Sequence, residues 1–384
     1  MDAGRIAQRF PLVARPRPAC PPLDVRVREV AELARAAAGQ TGGGLALAAR
    51  AHNKAALVAS DCGLPDLARS LCWQQFDLYL RSRPLGAQAA RYMLEPIVNL
   101  ARLLIREGNG TGAHQLLDTL YHAVRSRTDA VIDGRHVSFR DLTDSDEDHR
   151  TLCQWLWTVL LADGTRALAG AGRWDQALAY AEQHRGVGQR LLDGRQVAVL
   201  ARALAGDPAS ATALLDQSAL SEPWEQPVAA CLSVLCRTLG ARPADSAIAA
   251  MVEHYLGLEP ARELVVFRTR LGLTMIELAG GVEQPHTAKA AARLVHEVVA
   301  SGDGYAARDV LAHDGCRAHL TGSEKRALSA VVQTSGLERG AIPGYLMTDL
   351  RAAVMTSETV TARNLVTPIP ASPPNEVTAQ PPLG

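Results

Sequence analysis

The stretch Ala169-Gly-Ala-Gly172-Arg-Trp174-Asp-Gln-Ala177-Leu-Ala-Tyr180 reads as the end of one helix, a tight turn and the start of a second helix. Gly172 can close the first helix in a left-handed conformation that a side chain would strain. Ala177, five residues on, is small enough for the second helix to lie close against the first. The same pair recurs at Gly63/Ala68, Gly108/Ala113, Gly206/Ala211 and Gly302/Ala307. Gly172, Gly206 and Gly240 are spaced 34 and 34 residues apart, although Gly240 lacks the following Ala. A helix pair of this kind cannot bury its apolar face alone, so neighbouring pairs are expected to stack.

Outward from these turns, apolar residues recur at three- and four-residue spacing over Val25–Ala38, Leu45–Ser60, Pro65–Leu80, Ala113–Val124 and Ala288–Val299. That period is helical. The composition agrees: 47% of the 384 residues are hydrophobic but only 4% aromatic, a mix suited to close helix packing rather than to a β-sandwich. One segment breaks the rhythm. Ala130-Val-Ile-Asp-Gly-Arg-His-Val-Ser-Phe139 alternates on both sides of Asp133-Gly134, a two-residue hairpin turn, and predicts a small β-hairpin. The acids of Asp144–Asp148 precede an apolar run over Thr151–Leu161. They read as a helix cap with favourable dipole charges, because the Gly and distant Glu of a calcium loop are missing.

The segment around Gly172 resembles the turn and second helix of a tetratricopeptide repeat, with Gly172, Trp174 and Ala177 matching its conserved Gly, aromatic and Ala. Asp61-Cys-Gly63-Leu-Pro-Asp-Leu-Ala68 and Ala205-Gly206-Asp-Pro-Ala-Ser-Ala211 match the turn without the aromatic. The Trp, Leu-Gly and Tyr usual in the first helix are mostly absent, so the repeats are degenerate. The likeness covers about residues 25–315, interrupted by the hairpin and by a poorly matched stretch near 240–290. It implies an all-α, right-handed α-solenoid of stacked helix pairs with one small β-hairpin insertion near 130–139. The domain would span 24–361. The prolines of 1–23 and of 362–384 read as disordered tails whose removal would change stability little.

In that family the first helices line a concave surface. Counting back from each turn glycine implies that Arg50, Asn53, Asp61, Glu95, Asn99, Arg102, Arg106, Arg166, Asp193, Gln196, Lys289 and His296 face inward. Asn53, Asn99, Arg102, Arg166, Gln196 and His296 are the candidate ligand-binding residues. Asparagine can bracket an extended peptide backbone, and arginine can grip a carboxylate or phosphate through two hydrogen bonds. The full set of clamp residues known from carboxylate-binding members is absent. The alternative is that these are ordinary solvated residues of a concave wall.

Other chemistry is weakly signalled. The seven cysteines form no Cys-x-x-Cys and read as buried small hydrophobes. Lys54 reads as a side chain snorkelling from an apolar helix, and His184-Arg185 as cations at a helix C-terminus. No cofactor motif, metal site or catalytic triad can be assembled. Forty basic residues balance forty acidic ones, which gives no field favouring nucleic acid or an anionic membrane. No apolar run is long enough for a span, and Met1–Leu23 lacks the apolar core of a secretory signal, so a cytoplasmic location is expected. Three lysines against 37 arginines look like the codon bias of a GC-rich bacterial genome.

These readings favour an interaction protein that binds a peptide, a protein or a small anionic ligand in its groove, as an accessory or regulatory factor of a specialised-metabolite pathway. One alternative is a group-transfer or tailoring enzyme, with the hairpin and nearby His, Asp and Arg as lid and active site. The other is a transcriptional regulator, although no basic helix-turn-helix is evident.

Overall fold

The computed structural model describes residues 3–40 and 43–366. After a short α1 (Ala3–Ala7) come α2 (Leu23–Gly39), α3 (Gly44–Asp61), α4 (Pro65–Leu80), α5 (Ala87–Arg106) and α6 (Gly110–Ser126). The hairpin follows, β1 (Asp129–Ile132) and β2 (Arg135–Ser138), and then α7 (Asp146–Val159), α8 (Thr165–Gly170) and α9 (Trp174–Gln183). The second half holds α10 (Asp193–Leu204), α11 (Pro208–Asp216), α12 (Glu225–Leu239), α13 (Asp245–Gly257), α14 (Val265–Leu278) and α15 (Pro285–Ser301). It ends with α16 (Gly304–Ala312), α17 (Asp314–His319), α18 (Gly322–Ser335) and α19 (Gly344–Val366). Among the described residues the chain is all-α apart from one two-stranded antiparallel sheet.

The turn signature works as its chemistry requires. Gly63, Gly108, Gly172, Gly206 and Gly302 all have φ between 62° and 87°. The Ala that follows each is 0–1% exposed, so any larger side chain there would push the two helices apart. Gly240 departs from the pattern with φ −85°, and Ala241 takes the left-handed position instead. The hairpin pairs Ile132 with Arg135 across Asp133 and Gly134, both at positive φ, as a primed two-residue turn demands. Ser145 caps α7 by accepting from the Asp148 amide, and three acids occupy its first turn. Between α7 and α8 a π turn spans Leu160–Gly164.

Consecutive helices pack on each other, and alternate ones also touch: α3 with α5, α5 with α7, α8 with α10, α10 with α12, α12 with α14, and α14 with α16. The contacts then close on themselves, because α19 lies against α2, α3 and α4. Asp61, at the end of α3, anchors the closure. Its buried carboxylate receives Arg26 from α2, Arg106 from α5 at 2.8 Å and the Tyr305 hydroxyl from α16. Its carbonyl accepts the Glu338 amide at 2.7 Å.

Residues 3–22 are not the loose tail that their prolines suggest. Ile6, Phe10, Leu12 and Cys20 are at most 3% exposed, and Phe10 is among the largest fully buried side chains. The prolines do forbid a continuous helix, but they leave an extended strap that crosses α14, α10 and α16. At the other end, α19 runs through Val366, past the expected domain limit at 361. The remainder of the C-terminal tail, 367–384, lies outside the described residues.

Candidate functional site

Five of the six candidate residues fall in two polar groups. The first spans α3, α5 and the π turn. Asn53 donates to Glu95 at 3.1 Å, Asn99 donates to Asn53 at 3.1 Å, and Arg102 donates to Asn99 at 3.1 Å. Arg102 also grips Asp163 through Nε at 3.1 Å and Nη2 at 2.8 Å. Asn53, Asn99 and Arg102 thus lie side by side, with partners supplied by the protein itself.

The second group lies on α8, α10 and α14, and it holds the N-terminal strap. Gln196 is fully buried. Its carboxamide accepts the Leu12 amide at 2.7 Å and donates to the Leu12 carbonyl at 2.8 Å. A second bond from the same nitrogen reaches the Leu191 carbonyl at 2.8 Å and fixes the rotamer. Three residues to one side, Arg15 grips Asp193 through both terminal nitrogens, one of them at 2.9 Å. Three residues to the other, Arg9 grips Glu277 through Nε at 3.0 Å and Nη2 at 2.6 Å.

Charge pairing sets the protonation of these groups. Burial alone would raise the Glu277 carboxyl, but His313, with Nε2 3.1 Å away, and Arg9 hold it down at about 2. Burial opposes the charge on Arg15, and Asp193 more than compensates. Arg166 sits 3.9 Å from Asp193, and there burial wins: its pKa falls despite Asp193 and Asp163, with Arg15 and Arg270 adding to the fall. Arg166 therefore links the two groups at a crowded junction of three arginines and two acids.

The sixth candidate falls outside. His296 is exposed on α15, and no hydrogen bond joins it to either group. Its placement assumed that the helix before Gly302 is the first of a pair. In the structure α15 follows α14 across the Gly280-Gly281 turn, and α14 carries the strap contact through Glu277. Lys289 on the same helix is exposed for the same reason, and Arg50 is also exposed.

Elsewhere, Lys54 pairs with Glu29 of α2. All seven cysteines are free, six of them buried, and burial raises their thiols. His184 does cap α9, but burial lowers its pKa, so it is a neutral ring rather than a helix-end cation. Its ring meets that of Tyr180 edge to face, and Tyr180 meets His114 in the same way. The hairpin tip rests on α4, where Asp133 takes Arg69 and the Trp73 indole N–H and Arg135 covers the Trp73 ring. That places it against α4 rather than over the strap. Among the described residues no group of three His, Cys, Asp or Glu is spaced to hold a metal, and no helix is long and apolar enough to cross a membrane.

The strap contacts were missed because Arg9, Leu12 and Arg15 sit among prolines in a segment read only for what it could not form. The available signal was the apolar set Ile6, Phe10 and Leu12, which a solvated tail has no reason to carry. No protein-family model, curated protein or solved structure matches the chain.

Proposed function

We propose that this chain is an interaction protein, a degenerate tetratricopeptide-like solenoid whose inner wall holds an extended peptide. One observation carries the reading: Gln196 holds both the N–H and the C=O of a single residue, Leu12, in a segment without regular structure. A carboxamide that satisfies both backbone groups of one residue recognises main chain independently of side chain. A buried Gln in that role also excludes water, so each bond carries more weight than on an open surface. The two flanking arginine seats, on α10 and α14, set register along the peptide. The network of Asn53, Asn99 and Arg102 extends the same wall, and Arg102 is the candidate contact for an acidic group if Asp163 releases it.

The test uses the full chain with Leu12→Pro, which removes the amide held by Gln196 and loosens the strap without altering the wall. A displayed library of extended peptides is selected against this variant. Binders are expected, and Gln196→Leu in the same background should weaken them at least tenfold. Failure of every peptide to bind a folded Leu12→Pro chain overturns the reading.

A further inference from the structure

The strap occupies its seat incompletely. Its wall contacts fall at residues 9, 12 and 15, the first in the turn that closes α1 and the other two in the irregular segment beyond it. Around the third contact the fit is loose. Val13 and Ala14 are half-buried and Arg15 and Pro16 exposed. Beside these four residues lies an open cleft of about 430 Å³, walled by Leu192, Trp224 and Leu264 and rimmed by Arg190, Glu222 and Glu263. Leu192 is 39% exposed there, so an apolar wall stands unfilled next to a segment that offers only small side chains.

Resting on the peptide-holding reading above, we infer that the strap is a replaceable occupant. The partner that replaces it is an extended protein segment with two arginines six residues apart and a bulky apolar side chain between the Gln196 clamp and the second arginine. Each element of that partner answers a feature of the wall. Asp193 is 5% exposed and Glu277 19% exposed in their side chains, and each seats one strap arginine. An occupant lacking a cation at either position would leave Glu277 with His313 alone and Asp193 with Arg166 alone, at 3.1 and 3.9 Å, and would forfeit the two-pronged pair at that seat. The two-pronged contact at both seats selects Arg over Lys. Gln196 fixes the register midway between them. The cleft beside Val13 and Ala14 then supplies the advantage a partner needs over a tethered competitor, whose effective concentration is of order millimolar. A partner side chain of Leu, Phe or Trp size would cover Leu192 and the half-buried Leu264, beside the buried Trp224, where Ala14 does not.

The experiment uses the full wild-type chain and labelled synthetic peptides spanning residues 3–17, followed by fluorescence anisotropy. The peptide with Ala14→Trp is expected to bind at least tenfold tighter than the parent peptide. The same peptide with Arg9→Glu and Arg15→Glu should lose at least 100-fold. Hydrogen exchange on the chain should show the Leu12 amide losing protection as the Trp peptide binds. Equal binding of the double-Glu peptide, or binding that leaves Leu12 protected, overturns the inference. Should the tethered strap exclude every peptide from the wild-type chain, the Leu12→Pro chain decides. Arginine-free peptides bound there as tightly as the Trp peptide overturn this inference and leave the peptide-binding reading standing. No binding of any peptide to that folded variant removes both.

Discussion

Two polar groups, one on α3 and α5 and the other on α10 and α14, use similar side chains to different ends. On α3 and α5, Asn53, Asn99 and Arg102 bond to one another and to Glu95 and Asp163, so the wall satisfies itself. On α10 and α14, Gln196, Asp193 and Glu277 bond to residues 12, 15 and 9 of the strap. Water faces the first group, where the Arg102 side chain is 52% exposed. In the second, Gln196 is fully buried and Asp193 nearly so. A solvated network loses little when one member goes, because water replaces it. A dry one has no substitute for the segment it holds. Polar residues at equivalent inward positions therefore differ in consequence by what covers them.

Removing the strap is the harshest test of that contrast. Deletion of residues 3–22 exposes the seats of Ile6, Phe10, Leu12 and Cys20, each worth roughly 1.5–3 kcal/mol when fully buried. A loss on the order of 5–10 kcal/mol is expected in urea denaturation, enough to leave the chain marginal or unfolded. An unchanged midpoint would show that the strap only rests on the wall.

Acid should loosen the strap side selectively. The Glu277 carboxyl is depressed from 4.5 to about 2 in the folded chain. Its contribution is therefore fully present above pH 4.5 and is lost as the pH falls towards 2. The shift corresponds to roughly 3 kcal/mol. Glu277→Gln should lower stability at pH 6 by about that amount, and the gap to wild type should close between pH 4.5 and pH 2. A gap independent of pH would mean that Arg9 and His313 do not hold the carboxylate.

Gln196→Leu is expected to cost about 2–4 kcal/mol, since it strands the amide and carbonyl of Leu12 and the carbonyl of Leu191 away from water. Exchange of the Leu12 amide should quicken along with it. The matching change on the solvated side, Asn99→Ala, should cost below about 1 kcal/mol. Comparable losses at both sites would erase the distinction between the two groups.

The smallest effect is expected at Arg102→Ala, below about 1 kcal/mol in stability, because an exposed pair with Asp163 is screened by water and salt. If an acidic group engages this end of the wall, binding should fall by about 1–3 kcal/mol in the same variant. Lys at 102 should restore it only in part.

Local chemistry was legible wherever one or two residues suffice to determine it. Gly172 and Ala177 announce a turn and a close helix contact, Asp133-Gly134 announces a hairpin, and Ser145 with its acids announces a cap. The α3 and α5 candidates were also within reach, since Gly63 and Gly108 set a helical register over a single turn of counting. His296 stands apart from both groups, and one glycine cannot say whether it joins a helix to its own partner or to the next pair. That choice depends on how α12 to α16 stack, a matter of packing between segments distant in sequence.

The sequence by itself determined the helices, their turns, the hairpin and the inability of residues 1–23 to form a continuous helix, because each depends on backbone preferences within a few residues. Only the tertiary structure decided that α19 closes on α2 and α3, that Asp61 gathers Arg26, Arg106 and Tyr305, and that the strap lies on the wall. The bonds of Asp61 and of the strap join residues 35 to 268 positions apart, and α19 lies farther still along the chain from α2 and α3. Proline content forbids a helix but not burial, and burial is settled by whatever apolar surface and unpaired polar groups the rest of the chain leaves open. Here the open groups were Gln196, Asp193 and Glu277, and the segment that reached them was the N-terminus.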